Sequence, residues 1–203
     1  GHYQPRVPAD LGYYDLRVPE TRQAQADMAR EYGVEAFCYW HYWFGNGRRL
    51  LERPFNEVLE SGKPDFPFCL AWANHSWRGI YNGVKTKESL IDQTYGGLSD
   101  YERHFYDVLP AFEDKRYVTV DGKPFFLIFA PAEIPDSREF IDCWQRLAAR
   151  NGLTGIHFVA HTYKPNDIDN FLSMGYDAVN VVRLFEYQRI GISFVQKVLN
   201  KVN

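Results

Sequence analysis

Sulfur is scarce in this sequence, with two methionines and three cysteines in 203 residues, and Cys38, Cys69 and Cys143 form neither an even set nor a metal-ligand spacing. Each lies within an apolar segment, which predicts three buried free thiols, because an unpaired cysteine behaves as a small core hydrophobe. Unpaired thiols fit a reducing, cytoplasmic setting. An excess charge of one sign is also missing. The formal net charge is −3 and the pI about 6.1, with lysines and arginines scattered among acids, so nothing favours nucleic acid as a partner. No apolar run approaches the roughly 20 residues that span a bilayer, so no membrane span is expected. The opening Gly1-His2-Tyr3-Gln4-Pro5 lacks the basic and apolar regions of a signal peptide. No strand is followed by a G-x-G-x-x-G or G-x-x-x-x-G-K-S/T loop, which removes the common nucleotide sites, and no cofactor is expected. His41, His75, His104, His157 and His161 show no H-E-x-x-H spacing, so no metal is expected either.

Aromatic residues are what the chain has in quantity: 17%, made of 15 Phe, 14 Tyr and 5 Trp. Tyr and Trp present flat apolar faces with a polar handle, which suits both sugars and ordinary cores, so position has to decide. Along the chain, helical and extended patterns alternate. Residues 18–32 carry Ala24, Met28 and Tyr32 at helical spacing and end at Gly33, and a strand is expected over 34–39. A short helix over 54–60 precedes an apolar strand at 66–72. Ser99 and Glu102 read as a capping box ahead of Phe105, Val108, Leu109 and Phe112. Asp121-Gly122 reads as a hairpin turn leading into a strand at 125–129. Asp136 and Glu139 cap a helix with Phe140, Cys143, Trp144 and Leu147 on its apolar face. A strand at 156–160, a helix at 167–174 and a strand at 178–182 follow. Such alternation implies a parallel α/β fold, an open doubly wound sheet or a (β/α)8 TIM-barrel type. The missing phosphate loops favour the barrel. About five strands are visible where a barrel needs eight, so the barrel is expected to be incomplete in this chain, as one domain over 1–203 lacking the first strand and the C-terminal strands.

In a barrel the site is built on loops after the strands' C-terminal ends. After the first strand, Tyr39, His41, Tyr42 and Trp43 continue an aromatic run past the point where polarity should rise, and after the second come Trp72, Asn74, His75, Trp77 and Arg78. Trp can stack on a pyranose while Asn, His and Arg reach its hydroxyls, so these nine residues are expected to bind substrate. The plainer reading, an aromatic core with a hydrogen-bonded structural histidine, stands beside it. Trp43 and Trp77, as ligand platforms, should each leave one ring face free. Glycoside hydrolysis needs two carboxylates. Glu133, after the strand at 125–129, and Glu186, after the last strand, are weaker candidates, as is His161 at a strand end. They do not make a convincing acid pair.

The blocks Gly1-His2-Tyr3-Gln4-Pro5-Arg6, Leu11-Gly12-Tyr13-Tyr14-Asp15-Leu16-Arg17, Phe37 to Phe44, Leu50-Leu51-Glu52-Arg53-Pro54, Trp72-Ala73-Asn74 and Asp121-Gly122-Lys123-Pro124 occur in order. Together they resemble the WbsX-like proteins of bacterial surface-polysaccharide loci, which are similar to the family 99 endo-mannosidase barrels. The resemblance implies a glycoside hydrolase-like protein that handles oligosaccharide or polysaccharide, with glycosyltransferase in lipopolysaccharide or O-antigen biosynthesis, or a non-catalytic glycan-binding module, as alternatives. It also implies that the family's carboxylate pair falls beyond residue 203. Many members have Asn-Glu where this chain reads Asn74-His75.

Overall fold

The computed structural model describes residues 5–79 and 88–183. Five parallel strands lie side by side in chain order: β1 (Phe37–His41), β2 (Phe68–Trp72), β6 (Lys123–Ile128), β7 (His157–Thr162) and β8 (Ala178–Val181). Between β2 and β6 the chain adds the small antiparallel pair β3 (Trp77–Arg78) and β4 (Ser89–Ile91), and then β5 (Thr119–Val120), which forms a hairpin with β6. The order never reverses, as a barrel wall requires and a doubly wound sheet does not. At the β5–β6 turn Asp121 and Gly122 take φ of 50° and 76°, the two positive values that a type I′ hairpin turn needs.

Helices cover one face of this wall. They are α1 (Pro19–Glu31), α2 (Arg53–Ser61), α3 (Leu98–Phe112), α4 (Ser137–Arg150) and α5 (Ile168–Ser173). On α3 the buried residues Tyr101, His104, Phe105, Val108, Ala111 and Phe112 recur at three- and four-residue steps, so one stripe faces the sheet. Trp144 of α4 is fully buried between Phe126, Phe140 and Phe158, and its indole N–H donates to the Tyr101 carbonyl at 3.0 Å, which joins α3 to α4. Burying each ring of this kind contributes roughly 1.5–3 kcal/mol. The expected capping box at Ser99 is absent. Gly97, at φ 68°, precedes the helix and no side chain caps it. Asp136 does cap α4, accepting from the Glu139 amide at 2.9 Å.

Side chains alternate across a strand, so parity assigns each residue to the helix side or the inner face. Phe68, Leu70 and Trp72, then Phe126 and Ile128, then Phe158 and Ala160, join the helix-side core. Ala71, Leu127 and Val159 form a separate cluster on the inner face, with Phe125 and Ala178 against it. Cysteine placement differs from expectation. Cys69 and Cys143 are buried and all three are free, but Cys38 is exposed, because its parity turns it to the inner face on β1, the end strand of the sheet among the described residues.

Candidate functional site

The strands' C-terminal ends carry a row of rings on the inner face. Phe129, just after β6, lies between two imidazoles: His75 after β2 at 5.0 Å and His161 of β7 at 4.9 Å, the latter stacked within 21°. Trp40 of β1 meets the same phenyl ring edge-on at 5.4 Å and is 52% exposed. His161 is buried, and its Nδ1 takes a 3.1 Å hydrogen bond from the Asn180 amide of β8. With Asn180 donating, the proton sits on His161 Nε2, a buried donor that no protein atom accepts. His75 Nδ1 is likewise buried without a partner. Burial lowers the pKa of both imidazoles, opposed at His75 by the negative charge of Glu133, so both are neutral near pH 7. Two unsatisfied ring nitrogens beside exposed aromatic surface can hydrogen-bond a polar, neutral ligand whose flat faces stack on rings.

Loops around this row are braced by Asn74, which is fully buried. Its amide donates to the Ala130 carbonyl at 2.8 Å and the Tyr95 hydroxyl at 3.1 Å, and its carbonyl accepts from the Ala130 amide at 2.7 Å. This ties the segment after β2 to the one after β6, whose 3-10 turn Pro131–Glu133 carries the exposed Glu133. Asp100 does similar work further out, accepting from the Asn46 amide at 2.7 Å and the Trp43 indole at 3.4 Å.

The structure separates the nine expected binding residues into two groups. Tyr39, His41 and Trp72 point to the helix side: Tyr39 packs on Phe55 at 5.2 Å, and Trp72 is 1% exposed against His104 and Phe140, its indole donating to the Trp43 carbonyl. His41 Nε2 lies 2.9 Å from His104 Nε2 inside the core. Trp43 does not offer the free ring face expected of it, because His104 stacks on it at 4.8 Å and 5° and the residue is 4% exposed. Asn74 spends its polar atoms on the brace. Tyr42, His75 and Trp77 are half-buried and Arg78 is exposed, with Trp77 edge-on to Tyr42 at 5.3 Å and to Phe44 at 5.5 Å. Glu133 and His161 stand at the strand ends, and Glu186 lies outside the described residues. Sequence reasoning did not single out Trp40, Phe129 or Asn180, which the structure brings to the row. Ending β1 at Tyr39 instead of His41 put Trp40 in a loop, and the small Ala71 and Ala73 of the next strand were the available signal for which parity faces inward.

A separate cavity of about 1180 Å³ runs along the edge of β1, lined by Met28, Tyr32, Cys38 and Trp40 among others. It touches the ring row only through Trp40. We take the row rather than this cavity as the candidate site, because the unsatisfied imidazole nitrogens are there. Among the described residues no group of three or more His, Cys, Asp or Glu is placed to hold a metal ion, and no helix is long and apolar enough to cross a membrane.

Comparison with known proteins places this geometry. The chain is similar to the GH99 endo-alpha-mannosidase from Bacteroides thetaiotaomicron, with a TM-score of 0.58 at 15% identity over 86% of this chain and 47% of that one. It is similar also to a glycoside hydrolase-like protein, TM-score 0.58 at 15% identity, over 89% of this chain and 56% of the other. At that identity the likeness shows the fold, an incomplete (β/α)8 barrel. In sequence it is 36% identical over 180 residues to protein WxcX of Xanthomonas campestris pv. campestris, strains B100 and ATCC 33913, which is 88% of this chain. The chain spans a quarter of the length of those relatives, 25%. The model of the family described as Glycosyltransferase WbsX matches residues 1–201, and the chain belongs to that family.

Proposed function

We propose that this chain supplies a glycan-binding wall of a carbohydrate-active barrel that processes bacterial surface polysaccharide with glycoside hydrolase-like chemistry. The observation that carries this reading is the row of Trp40, His75, Phe129 and His161 at the strands' C-terminal ends, where aromatic surface lies beside imidazole nitrogens with no protein partner. A sugar ring offers apolar C–H faces to the first and hydroxyls to the second. Tyr42, Trp77 and Arg78 extend the surface outward, and Glu133 is the carboxylate that the turn after β6 brings near His75. Hydrolysis across a glycosidic bond uses two carboxylates. In this reading the catalytic pair comes from outside the described residues. The free thiols fit a cytoplasmic setting.

The family's description favours a second reading, glycosyl transfer from an activated donor. The two separate on one assay: release of reducing ends from polysaccharide in plain buffer supports hydrolysis, and turnover only with a nucleotide-sugar supports transfer. Binding is tested by calorimetry with α-mannose oligosaccharides and surface polysaccharide fragments. Trp40→Ala and His161→Ala should each weaken binding by roughly 1–3 kcal/mol. Unchanged affinity in both would remove the row from the site.

A further inference from the structure

We propose that Cys38 and Cys69 form a reactive dithiol that closes to a disulfide across β1 and β2 when it meets a low-molecular-weight disulfide such as oxidised glutathione. The two residues are direct register partners in the parallel β1–β2 pair. Neighbouring strands lie about 4.7–4.9 Å apart, inside the roughly 4.4–6.8 Å range of Cα separations that a disulfide bridges. Opposed residues on paired strands point to the same face, so both thiols stand on the inner face, close enough to hydrogen-bond each other.

Their surroundings divide the chemistry. Cys38 is exposed and lines the cavity beside β1, whereas Cys69 is buried. Cys38 is therefore the attacking sulfur and Cys69 the resolving one. Cys143 sits buried on α4, on the helix side of the wall, and serves as an internal control.

The steps balance without a metal. The Cys38 thiolate attacks one sulfur of glutathione disulfide, the S–S bond breaks, and one glutathione thiolate leaves with the electron pair. Cys69, losing its proton to solvent, then attacks Cys38 Sγ and expels the second glutathione. Two protein thiols and one glutathione disulfide become one protein disulfide and two glutathiones. The bond would tie β1 to β2 two residues before Trp40, so the inner face carries a redox-sensitive clamp beside the proposed glycan row.

The test is peptide mapping under non-reducing conditions after the folded protein has been incubated with oxidised glutathione. A cross-linked pair containing Cys38 and Cys69, two hydrogens lighter than the reduced peptides and reversed by dithiothreitol, is expected, with Cys143 unmodified. Cys69→Ser should retain glutathione on Cys38, and Cys38→Ser should leave Cys69 unmodified. Wild-type protein that keeps glutathione on Cys38 as stably as Cys69→Ser, or that leaves Cys38 unreacted, overturns the proposal. Should the Ser variants fail to fold, the wild-type map decides alone.

Discussion

Replacing Asn74 with alanine distinguishes a brace from a ligand contact at a residue whose type alone suits either. The substitution removes three hydrogen bonds at once: those to the Ala130 carbonyl, the Ala130 amide and the Tyr95 hydroxyl, at 2.8, 2.7 and 3.1 Å. A hydrogen bond contributes about 0.5–1.5 kcal/mol net, and a buried group left without a partner costs about 1–3 kcal/mol. Ala130 itself is only half-buried, so water can reach part of what is lost. The expected destabilisation is therefore about 3 kcal/mol, near the middle of the range for three such bonds. In a chain of this length that lowers the thermal midpoint by roughly 6–12 °C.

Three measurements read it together: urea unfolding for the free energy, hydrogen exchange at the Ala130 amide for the local bond, and calorimetry for glycan affinity. A brace predicts lower stability, faster exchange at Ala130, and an affinity loss that follows from the freed turn carrying Glu133. A destabilisation under about 1 kcal/mol, smaller than one lost bond with its unsatisfied partner, together with protected exchange at Ala130, would refute the reasoning. Lost affinity with unchanged stability would make Asn74 a direct ligand contact.

The remaining expectations concern the core and the outer loop. Burial, with a smaller contribution from the Arg49 charge, lowers the pKa of His41 to about 3, and burial, with smaller contributions from His41 and Arg49, lowers that of His104, so both are neutral in the fold. The unfolded chain binds these protons below about pH 6.5. The stability is thus complete above pH 6.5 and is lost as pH falls from there, for His41 towards about 3, by up to about 1.4 kcal/mol per pH unit for each histidine. Urea unfolding of His41→Phe should show a shallower slope between pH 6.5 and 5 than the parent, and an identical slope would overturn this assignment. Trp43→Ala should cost about 3–5 kcal/mol in stability, as for a core Trp. Trp77→Ala, at a half-buried ring, should cost less while weakening glycan binding by roughly 1–3 kcal/mol; paired calorimetry and thermal midpoints that show the reverse pattern would exchange the two roles.

Helix faces were legible in the sequence because an apolar stripe at period 3.6 is a local property. The hairpin at Asp121-Gly122 and the cap at Asp136 were legible for the same reason: a few adjacent residues carry the whole signal. Ser99 and Glu102 satisfied the same spacing rule and still did not cap, since Gly97 takes the left-handed φ that starts α3. The ring row demanded more. In Tyr39-Trp40-His41-Tyr42-Trp43 every residue can line a core or a site, so no polarity contrast fixes the parity of β1. What fixes it is His104, 63 residues away, which faces His41 Nε2 across the helix-side core. In Trp72-Ala73-Asn74-His75 tertiary contacts sort a motif that composition treats as one unit. Trp72 packs into the helix-side core and Asn74 braces the segment after β6, whereas His75 lies against Phe129. A loop rich in sugar-binding residue types therefore locates the end of the barrel where a site belongs. Strand pairing decides which way the residues up to Trp72 face, and the hydrogen bonds and ring contacts of the segment after it decide the rest.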